Sequence, residues 1–287
     1  MRRPPEISII TIVYNDRAGL ELTAQSIVSQ SGFNLTEWII IDADSKDGTK
    51  DVIENYKANA AYAISEPDKG RYDGMNKGIA LAKGEYTIFM NAGDSFNDNY
   101  VIENIIKESS WGNVDYISGN IYGVTDNRIT GKHISPSHIT AMYFLRDTLS
   151  HQSTFIRTER LKKYGGYDCE YKIVADSKFF FEDIILRNAT YAKSNLFIAR
   201  YDVKGISSMN PTSVQQEKKR YISTHLPPRI VDDLKRLAYG KTDLERISSR
   251  LEHKGFLYRT ISVFATLLYS PIAIKNRLLM YIRKHYM

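Results

Sequence analysis

The sequence predicts an α/β protein with a mostly parallel central sheet flanked by helices. Over the first hundred residues, short apolar and β-branched runs alternate with amphipathic helical stretches, which is the pattern of consecutive βαβ units. The first run, ISIITIV at 7–13, contains no charge, as is typical of a strand buried on both faces. After about residue 210 the chain becomes charged and helical, with a break at Pro227-Pro228.

Each element of this alternation has a local cause. Asp16 can cap a helix whose apolar face is formed by Leu20, Ala24, Ile27 and Val28. The next strands are expected at 38–41, 61–64 and 86–90, separated by helices at 49–57 and 73–83. Further strands are expected at 114–118 and 153–157, and a further helix at 176–187.

Composition limits the environment and the kind of site. Among 287 residues, Cys169 is the only cysteine, which excludes an internal disulfide framework and a cysteine-based zinc site. The N-terminus, Met1-Arg2-Arg3-Pro4-Pro5, leads into a β-like run and not into an apolar segment with a cleavage site. We therefore expect a protein of a reducing, cytoplasmic compartment.

The net charge of +6 is concentrated at the C-terminus. Residues 254–287 carry six Lys and Arg and no Asp or Glu, which favours an anionic partner. The uncharged stretch at 260–274 contains Pro271 and is shorter than the roughly 20 residues that span a bilayer. It is interpreted either as interfacial helices on an anionic membrane surface or as a helix packed on the core or on a second subunit.

Polar clusters follow four of the predicted strands. They begin at Tyr14, Asp42, Glu66 and Asn91, and should converge because doubly wound sheets bind ligands at the carboxyl ends of their strands. Neither common glycine-rich phosphate loop is present. Carboxylates take their place: Asp42 and Asp68 can accept hydrogen bonds from a base or ribose, and Asp94 can hold Mg²⁺ or Mn²⁺ against a diphosphate.

Other polar residues in these clusters also fit structural roles. The run Asp47-Gly48-Thr49 fits a turn and helix cap, and Asp73 can complement a helix dipole. Asp176 fits both a helix cap and a general base. Arg71 can offer a fork of donors to phosphate.

Four motifs follow one another in the chain: SIITIVYN at 8–15, Asp42-x-x-Ser45-x-Asp47-Gly48-Thr49, EPDKGRYDGMNKG at 66–78, and GEY at 84–86 leading to Asn91-Ala92-Gly93-Asp94. With these motifs the chain resembles, over roughly residues 5–200, the family 2 glycosyltransferases of GT-A fold, especially bacterial members that build exopolysaccharide, capsule or O-antigen. The resemblance implies inverting transfer from a nucleotide-activated sugar, UDP-linked most often, to a saccharide hydroxyl.

The resemblance also implies site roles. Thr11, Tyr14, Asp42 and Asp68 would surround the base and ribose, with Arg71 and Asn76 nearby, and Asn91, Ala92 and Gly93 would line the diphosphate. Asp94 matches the metal-binding acid of the family's DxD motif; Asn91 and Gly93 depart from that motif. Asp176, downstream of Gly165-Gly166-Tyr167-Asp168, matches the base. His151, Gln152 and Asp168 would face the acceptor.

The predicted organisation is therefore a catalytic domain at 1–210 and a helical extension at 211–287. Residues 5–110 would bind the sugar nucleotide and 111–210 the acceptor, a lipid-linked or free oligosaccharide, at the inner face of the cell membrane. Two other functions stay open: a sugar-nucleotide-forming nucleotidyltransferase, although Tyr14-Asn15-Asp16-Arg17 is not its glycine- and basic-rich loop, and a non-catalytic protein that binds nucleic acid or membrane.

Overall fold

One mixed sheet of nine strands organises the part of the chain that the computed structural model describes, residues 4–126, 128–203 and 210–239. The strands are β1 (Ile7–Val13), β2 (Thr36–Asp42), β3 (Tyr62–Ser65), β4 (Tyr86–Phe89), β5 (Ser95–Phe96), β6 (Tyr116–Thr125), β7 (Arg128–His133), β8 (Thr154–Arg157) and β9 (Tyr191–Asp202). The helices are α1 (Arg17–Val28), α2 (Thr49–Tyr56), α3 (Arg71–Leu81), α4 (Val101–Ile106), α5 (Ala141–Arg146), α6 (Thr158–Lys163), α7 (Ala175–Phe180), α8 (Pro211–His225) and α9 (Pro228–Tyr239).

The first four strands form the parallel sheet that the sequence predicts. Their spatial order is β3-β2-β1-β4, and all three pairings between them are parallel. Val13 of β1 is in register with Asp42 of β2, and Asp42 with Ser65 of β3. The carboxyl ends of these strands, and the polar turns that follow them, therefore lie along one edge of the sheet.

The second half of the sheet is mixed. β8 runs antiparallel to β4 and to β6, whereas β9 runs parallel to β6 and antiparallel to β5. This arrangement joins the acceptor-side segment expected at 111–210 to the first four strands through the β4–β8 pairing. A single sheet therefore supports both predicted halves of the site.

Helix α3 lies close against the first strands because it presents a glycine to them. A Cβ on Gly78 would lie 2.5 Å from Cγ2 of Ile10, closer than real Cβ atoms approach another atom, so glycine permits this contact. Ile10 and the neighbouring Ile9, Ile39 and Ile40 are completely buried. The close packing fixes α3 against β1.

The region around α7 differs from an ordinary helix. A π-helical turn, Phe181–Leu186, follows α7 directly, and π turns are often found near functional sites. Asp183 in this turn is fully buried and forms hydrogen bonds with Arg160 at 2.6 and 2.9 Å and with the Tyr116 hydroxyl at 2.6 Å. These charged contacts compensate the burial of its carboxylate.

The chain divides into two compact units, Met1–Pro227 and Pro228–Met287. The first unit extends through α8, beyond residue 210, the predicted end of the catalytic domain. Within it, the Tyr221 hydroxyl of α8 lies 3.0 Å from Oγ of Ser177 in α7. Helix α9 begins the second unit. The basic tail at 254–287, including 260–274, lies outside the described residues, so its interfacial helices stay a prediction.

No helix in the described ranges is both long enough and apolar enough to cross a bilayer.

Candidate active site

The polar turns after β1 and β2 are joined by direct hydrogen bonds. The backbone N–H of Asn15 donates to Oγ of Ser45 at 2.8 Å, and the N–H of Lys46 donates to Oδ1 of Asn15 at 2.8 Å. Asn15 has a positive φ of 48°, which asparagine tolerates better than most residues. The first two sequence clusters therefore meet at the edge of the sheet, as expected.

Two of the residues predicted to bind the donor are held mainly by the protein. Thr11 is fully buried and its Oγ1 accepts a hydrogen bond from the Trp38 indole at 2.9 Å. Asp42 is also fully buried, and its carboxylate accepts hydrogen bonds from Ser45 and from the Ser65 hydroxyl. A ligand would reach the Asp42 carboxylate only by replacing one of these bonds.

Other donor-side residues are more accessible. The side chain of Tyr14 is 66% exposed, which leaves its ring open to a ligand. Asp68 accepts a hydrogen bond from the backbone N–H of Gly70 at 2.9 Å, and Arg71 begins α3 beside it. Asp68 therefore shapes the turn that leads into α3 through one of its two carboxylate oxygens.

Asn76, predicted to lie near the base and ribose, is hydrogen-bonded to the turn that follows α6. Its Nδ2 donates to the carbonyl of Tyr167 at 2.7 Å, and its Oδ1 accepts from the N–H of Tyr167 at 2.7 Å. A Cβ on Gly166 would lie 2.3 Å from Oδ1 of Asn76. Asn76 thus joins α3 to the Gly165-Gly166-Tyr167-Asp168 turn.

The turn after β4 is shaped by a glycine and by α1. Gly93 has a φ of 91°, a conformation that favours glycine. The Thr23 hydroxyl donates to the carbonyl of Asp94 at 2.6 Å, and the N–H of Ala92 donates to the carbonyl of Ile12 at 3.1 Å. The turn that holds Asn91 to Asp94 is therefore fixed to β1 and α1.

Asp94 is a buried acid with little compensation. Its side chain is 8% exposed, and burial raises the pKa of Asp94 to about 7 although the His151 ring and the Gln152 amide lower it in part. In the same turn, Oδ1 of Asn91 is buried and has no hydrogen-bond partner. The neighbours of Asp94 therefore offset its burial only in part, and the Asn91 oxygen in the same turn has no donor.

These residues fit a divalent cation of the hard type. A carboxylate and an amide oxygen are ligands that Mg²⁺ and Mn²⁺ accept, and Mg²⁺ usually takes one or two protein carboxylates and fills the remaining positions with phosphate and water. Among the described residues, no cluster of three or more His, Cys, Asp or Glu could enclose a metal by itself. Asp94 and Asn91 would therefore share a metal with the donor.

Asp176, the predicted base, is as buried as Asp94 but well supported. Three groups donate to its carboxylate: Nδ1–H of His151 at 2.9 Å, the backbone N–H of Ser177 at 2.9 Å and the Tyr72 hydroxyl at 3.0 Å. Burial alone would raise the pKa of Asp176, but the hydrogen bond and charge of His151, with smaller contributions from Ser177 and Tyr72, bring this pKa below its usual value. The carboxylate is therefore ionised at neutral pH.

His151 lies between the Asp176 carboxylate and the turn that carries Asp94. Its Nδ1 contacts Asp176, and its Nε2 lies 3.1 Å from Nδ2 of Asn91. A proton on Nδ1 can donate to the Asp176 carboxylate, while Nε2 faces the side-chain amide of Asn91. His151 thus links the base to the turn that carries Asp94, and Gln152 beside it reaches Asp94.

Asp168 lies at the edge of this site. Its Oδ1 accepts from the N–H of Glu170 at 3.0 Å, and Nζ of Lys178 lies 3.3 Å from its Oδ2. Asp168 therefore orders the loop between the Gly-Gly turn and α7.

The structural role predicted for Asp47, as part of a turn before a helix, is confirmed. Its Oδ1 accepts hydrogen bonds from the backbone N–H and the hydroxyl of Thr49.

Two residues of the site were not predicted. The Tyr72 hydroxyl contacts Asp176, and burial, followed by the Asp176 charge, raises the pKa of Tyr72 far enough to keep the hydroxyl protonated. Glu217 of α8 accepts three backbone N–H groups, from Lys172, Ile173 and Val174 at 2.9, 3.0 and 3.1 Å. Tyr72 lies in a quoted motif and could have been noticed there, but no local signal marks Glu217.

Comparison with known proteins agrees with this geometry. Residues 8–172 match the model of the family described as Glycosyl transferase family 2. An uncharacterized glycosyltransferase of Mycobacterium tuberculosis is 31% identical over 234 residues, which cover 78% of this chain and 86% of that protein.

Two solved structures are similar in fold. Staphylococcus aureus TarS 1–349 in complex with UDP-GlcNAc has a TM-score of 0.64 at 17% identity over 81% of this chain and 71% of that chain; this chain spans 42% of the chain in another TarS structure. The mannosyltransferase PcManGT of Pyrobaculum calidifontis, in complex with GDP-Man and Mn²⁺, has a TM-score of 0.60 at 14% identity over 100% of this chain and 81% of that chain.

Proposed function

The chain belongs to glycosyl transferase family 2, and we propose that it catalyses an inverting transfer in the synthesis of a cell-surface polysaccharide. It is a glycosyltransferase of GT-A fold that uses a nucleotide sugar. The observation that carries the proposal is the Asp176 carboxylate, which is buried and yet held ionised by three donors. A base that is ionised at neutral pH suits the removal of a proton from an acceptor hydroxyl.

Asp176 would act in one displacement. The acceptor hydroxyl oxygen attacks the anomeric carbon from the face opposite the leaving group, and its proton passes to the Asp176 carboxylate. The bond between the anomeric carbon and the diphosphate oxygen breaks, and the nucleoside diphosphate leaves with that electron pair. One displacement inverts the anomeric configuration. His151, Ser177 and Tyr72 hold the carboxylate in one orientation, which favours a single attack geometry.

The donor would bind along the carboxyl ends of β1, β2 and β4. The exposed ring of Tyr14 and Oδ2 of Asp68 suit the base and ribose. Behind them, the buried side chains of Thr11 and Asp42 form the floor of the site. Asn91, Ala92 and Gly93 would face the diphosphate. A UDP-sugar is the donor we expect, and the solved relatives with UDP-GlcNAc and GDP-Man support a nucleotide-sugar site of this kind.

A divalent cation, Mn²⁺ or Mg²⁺, would bind to Asp94 and Asn91. When bound, it would neutralise charge on the departing diphosphate. The buried Asp94 carboxylate and the unpartnered Asn91 oxygen support this assignment. The PcManGT structure, which contains Mn²⁺ with a nucleotide sugar, supports it from a protein of similar fold.

The acceptor would approach from the side of His151, Gln152 and Asp168. We propose a lipid-linked saccharide as acceptor, with the basic segment at 254–287 holding the protein on the inner face of the cell membrane. The six cations and no acids of this segment support an anionic surface as its partner. The catalytic region would then be residues 1–210, assisted by α8, and the remainder would be the extension.

A thermal-shift screen tests the donor proposal. The full chain is heated with UDP-, GDP- and dTDP-sugars, each with and without Mn²⁺, because a ligand of the native state raises the melting temperature. We expect one nucleotide class to raise it, and Mn²⁺ to enlarge the shift. Radiolabelled transfer to membrane extracts then identifies the acceptor class. A folded protein that responds to none of these nucleotides would contradict the proposal.

A further inference from the structure

A cavity of about 350 Å³ opens between the first turn of α3 and the loop that leads into α7. This loop cavity is lined on one side by Lys69, Arg71 and Tyr72 and on the other by Lys172 and Ile173. Cavities of this volume are large enough for a small ligand. It is not one of the sites that the motifs predicted, because its second wall comes from a loop about one hundred residues later in the chain.

The charged groups around the loop cavity are mostly cations. Asp73 is the only acid among the described lining residues, and its carboxylate already accepts from the N–H of Lys69 at 3.0 Å and lies 3.9 Å from Nζ of Lys77. The Lys172 ammonium donates to the carbonyl of Cys169 at 3.3 Å, a neutral partner. The Arg71 guanidinium has no carboxylate within ion-pair distance among the described residues. The balance favours an anionic ligand.

The loop cavity is separated from the base by one side chain. The Tyr72 hydroxyl shares its one proton between the carbonyl of Ile173, 2.6 Å away, and Oδ1 of Asp176, 3.0 Å away. Tyr72 and Ile173 both line the cavity. Tyr72 therefore contacts both the cavity and the Asp176 carboxylate.

The second wall is held in place by α8. Glu217 accepts the backbone N–H groups of residues 172–174, which fixes the loop that carries Lys172. A rigid wall reduces the entropy that a ligand loses on binding. The backbone that carries Lys172 is thus held in place before a ligand arrives.

We propose that the loop cavity binds an oxyanion of the acceptor, a phosphate or a carboxylate, between Arg71 and Lys172. The proposal rests on the proposed function, and it deepens that function by defining the acceptor as an anionic saccharide or a saccharide on a phosphate-bearing carrier. It also moves Arg71 from the donor diphosphate, where the sequence suggested it, to the acceptor. Guanidinium and ammonium groups on opposite walls suit the oxygens of one such anion.

Calorimetric titration of the full chain tests this assignment. Inorganic phosphate and glucuronate are titrated separately into protein saturated with the nucleoside diphosphate that stabilises it most in the donor screen. We expect at least one probe to bind, and each of Arg71→Gln and Lys172→Gln to weaken that binding about tenfold, the loss of one charge-assisted hydrogen bond. The nucleoside diphosphate should keep its affinity within about twofold. Lys57→Gln, which removes a cation from the exposed end of α2, is the matched control.

The possible results separate the alternatives. Binding of phosphate but not glucuronate indicates a phosphate-bearing acceptor, and the reverse indicates an acidic sugar. Probe binding that disappears in the presence of nucleoside diphosphate, or an Arg71→Gln variant that loses nucleotide affinity, assigns Arg71 to the donor and overturns the proposal. Failure of both probes overturns it as well. If no nucleotide stabilises the protein, the proposed function fails instead, and the same variants titrated without nucleotide still decide whether the cavity binds an oxyanion.

Discussion

The turn after β4 and the start of α7 hold two acids that are almost equally buried but have pKa values shifted in opposite directions. Asp94 is 8% exposed and Asp176 is 9% exposed. Burial raises the pKa of Asp94 to about 7, whereas the pKa of Asp176 is below its usual value despite a burial effect in the same direction. Burial alone therefore does not set the charge of a carboxylate in this site.

The difference lies in the neighbouring donors. Asp176 accepts hydrogen bonds from an imidazole, a backbone amide and a phenol, and such bonds stabilise the ionised form. For Asp94, the His151 ring and the Gln152 amide offset burial only in part, and Oδ1 of Asn91 in the same turn has no hydrogen-bond partner. A supported acid is ready to take a proton, and an unsupported acid is suited to an external cation. The donors around each carboxylate therefore indicate different chemistry for the two acids, independently of any sequence motif.

Removing the supported acid should have the largest effect. Asp176→Asn keeps the shape of the side chain but cannot take a proton, so we expect kcat to fall by about 10²- to 10⁴-fold. The affinity for the nucleoside diphosphate, measured by calorimetry, should stay unchanged. Asp51→Asn, at an exposed acid of α2, is the control. Near-normal turnover of Asp176→Asn would mean that another group is the base.

Replacing the unsupported acid should stabilise the metal-free protein at high pH. Because the pKa of Asp94 is higher in the folded state than in the unfolded chain, the folded state binds more protons between about pH 4 and pH 7, and stability falls as pH rises through that range. Asp94→Asn removes this cost, which is on the order of a few kcal/mol at pH 8 and absent near pH 3.

Thermal or urea unfolding at pH 3.5 and pH 8, in buffer with a chelator, measures this effect. The same variant should lose the Mn²⁺-dependent part of the donor's thermal shift. A variant that is destabilised at pH 8, relative to its behaviour at acid pH, would show that Asp94 already has a compensating partner in the protein.

Weakening the support of Asp176 should have a smaller effect of predictable sign. Tyr72→Phe removes one donor to the ionised carboxylate, so the pKa of Asp176 should rise by less than about one unit. The acid limb of the pH profile of kcat should move to higher pH by that amount, while the rate at pH 8 changes little. Tyr62→Phe, on β3, removes a hydroxyl far from the base and should leave the profile unchanged.

Local sequence patterns predict some parts of the site, and contacts between distant residues determine the others. The strands, the order of the polar turns and the burial of Asp42 follow from local patterns, because each polar cluster directly follows an apolar strand in the chain. The pKa difference between Asp94 and Asp176 does not, because it depends on contacts with residues distant in sequence. Tyr72 lies 104 positions from Asp176, and His151 joins residues from two different turns. The antiparallel half of the sheet was missed for a similar reason, since pairing direction there is set by tertiary contacts.

The most distant support, Glu217, should give the smallest change and the clearest test of how far the base depends on later parts of the chain. Its two carboxylate oxygens accept three N–H groups of residues 172–174; in Glu217→Gln, one oxygen becomes an amide that faces a donor. We expect a loss of stability of about 1 to 2 kcal/mol and a kcat reduced about threefold to tenfold, with nucleotide affinity unchanged. Glu170→Gln, which alters an exposed ion pair with Arg220, is the control. The turn that carries Asp94 is fixed by β1 and α1, whereas Glu217 holds the loop at 172–174. The Mn²⁺-dependent donor shift should therefore be the same in both variants. A parallel loss of metal-dependent donor binding in Glu217→Gln would mean that the two regions are coupled, with His151 as the residue that connects them.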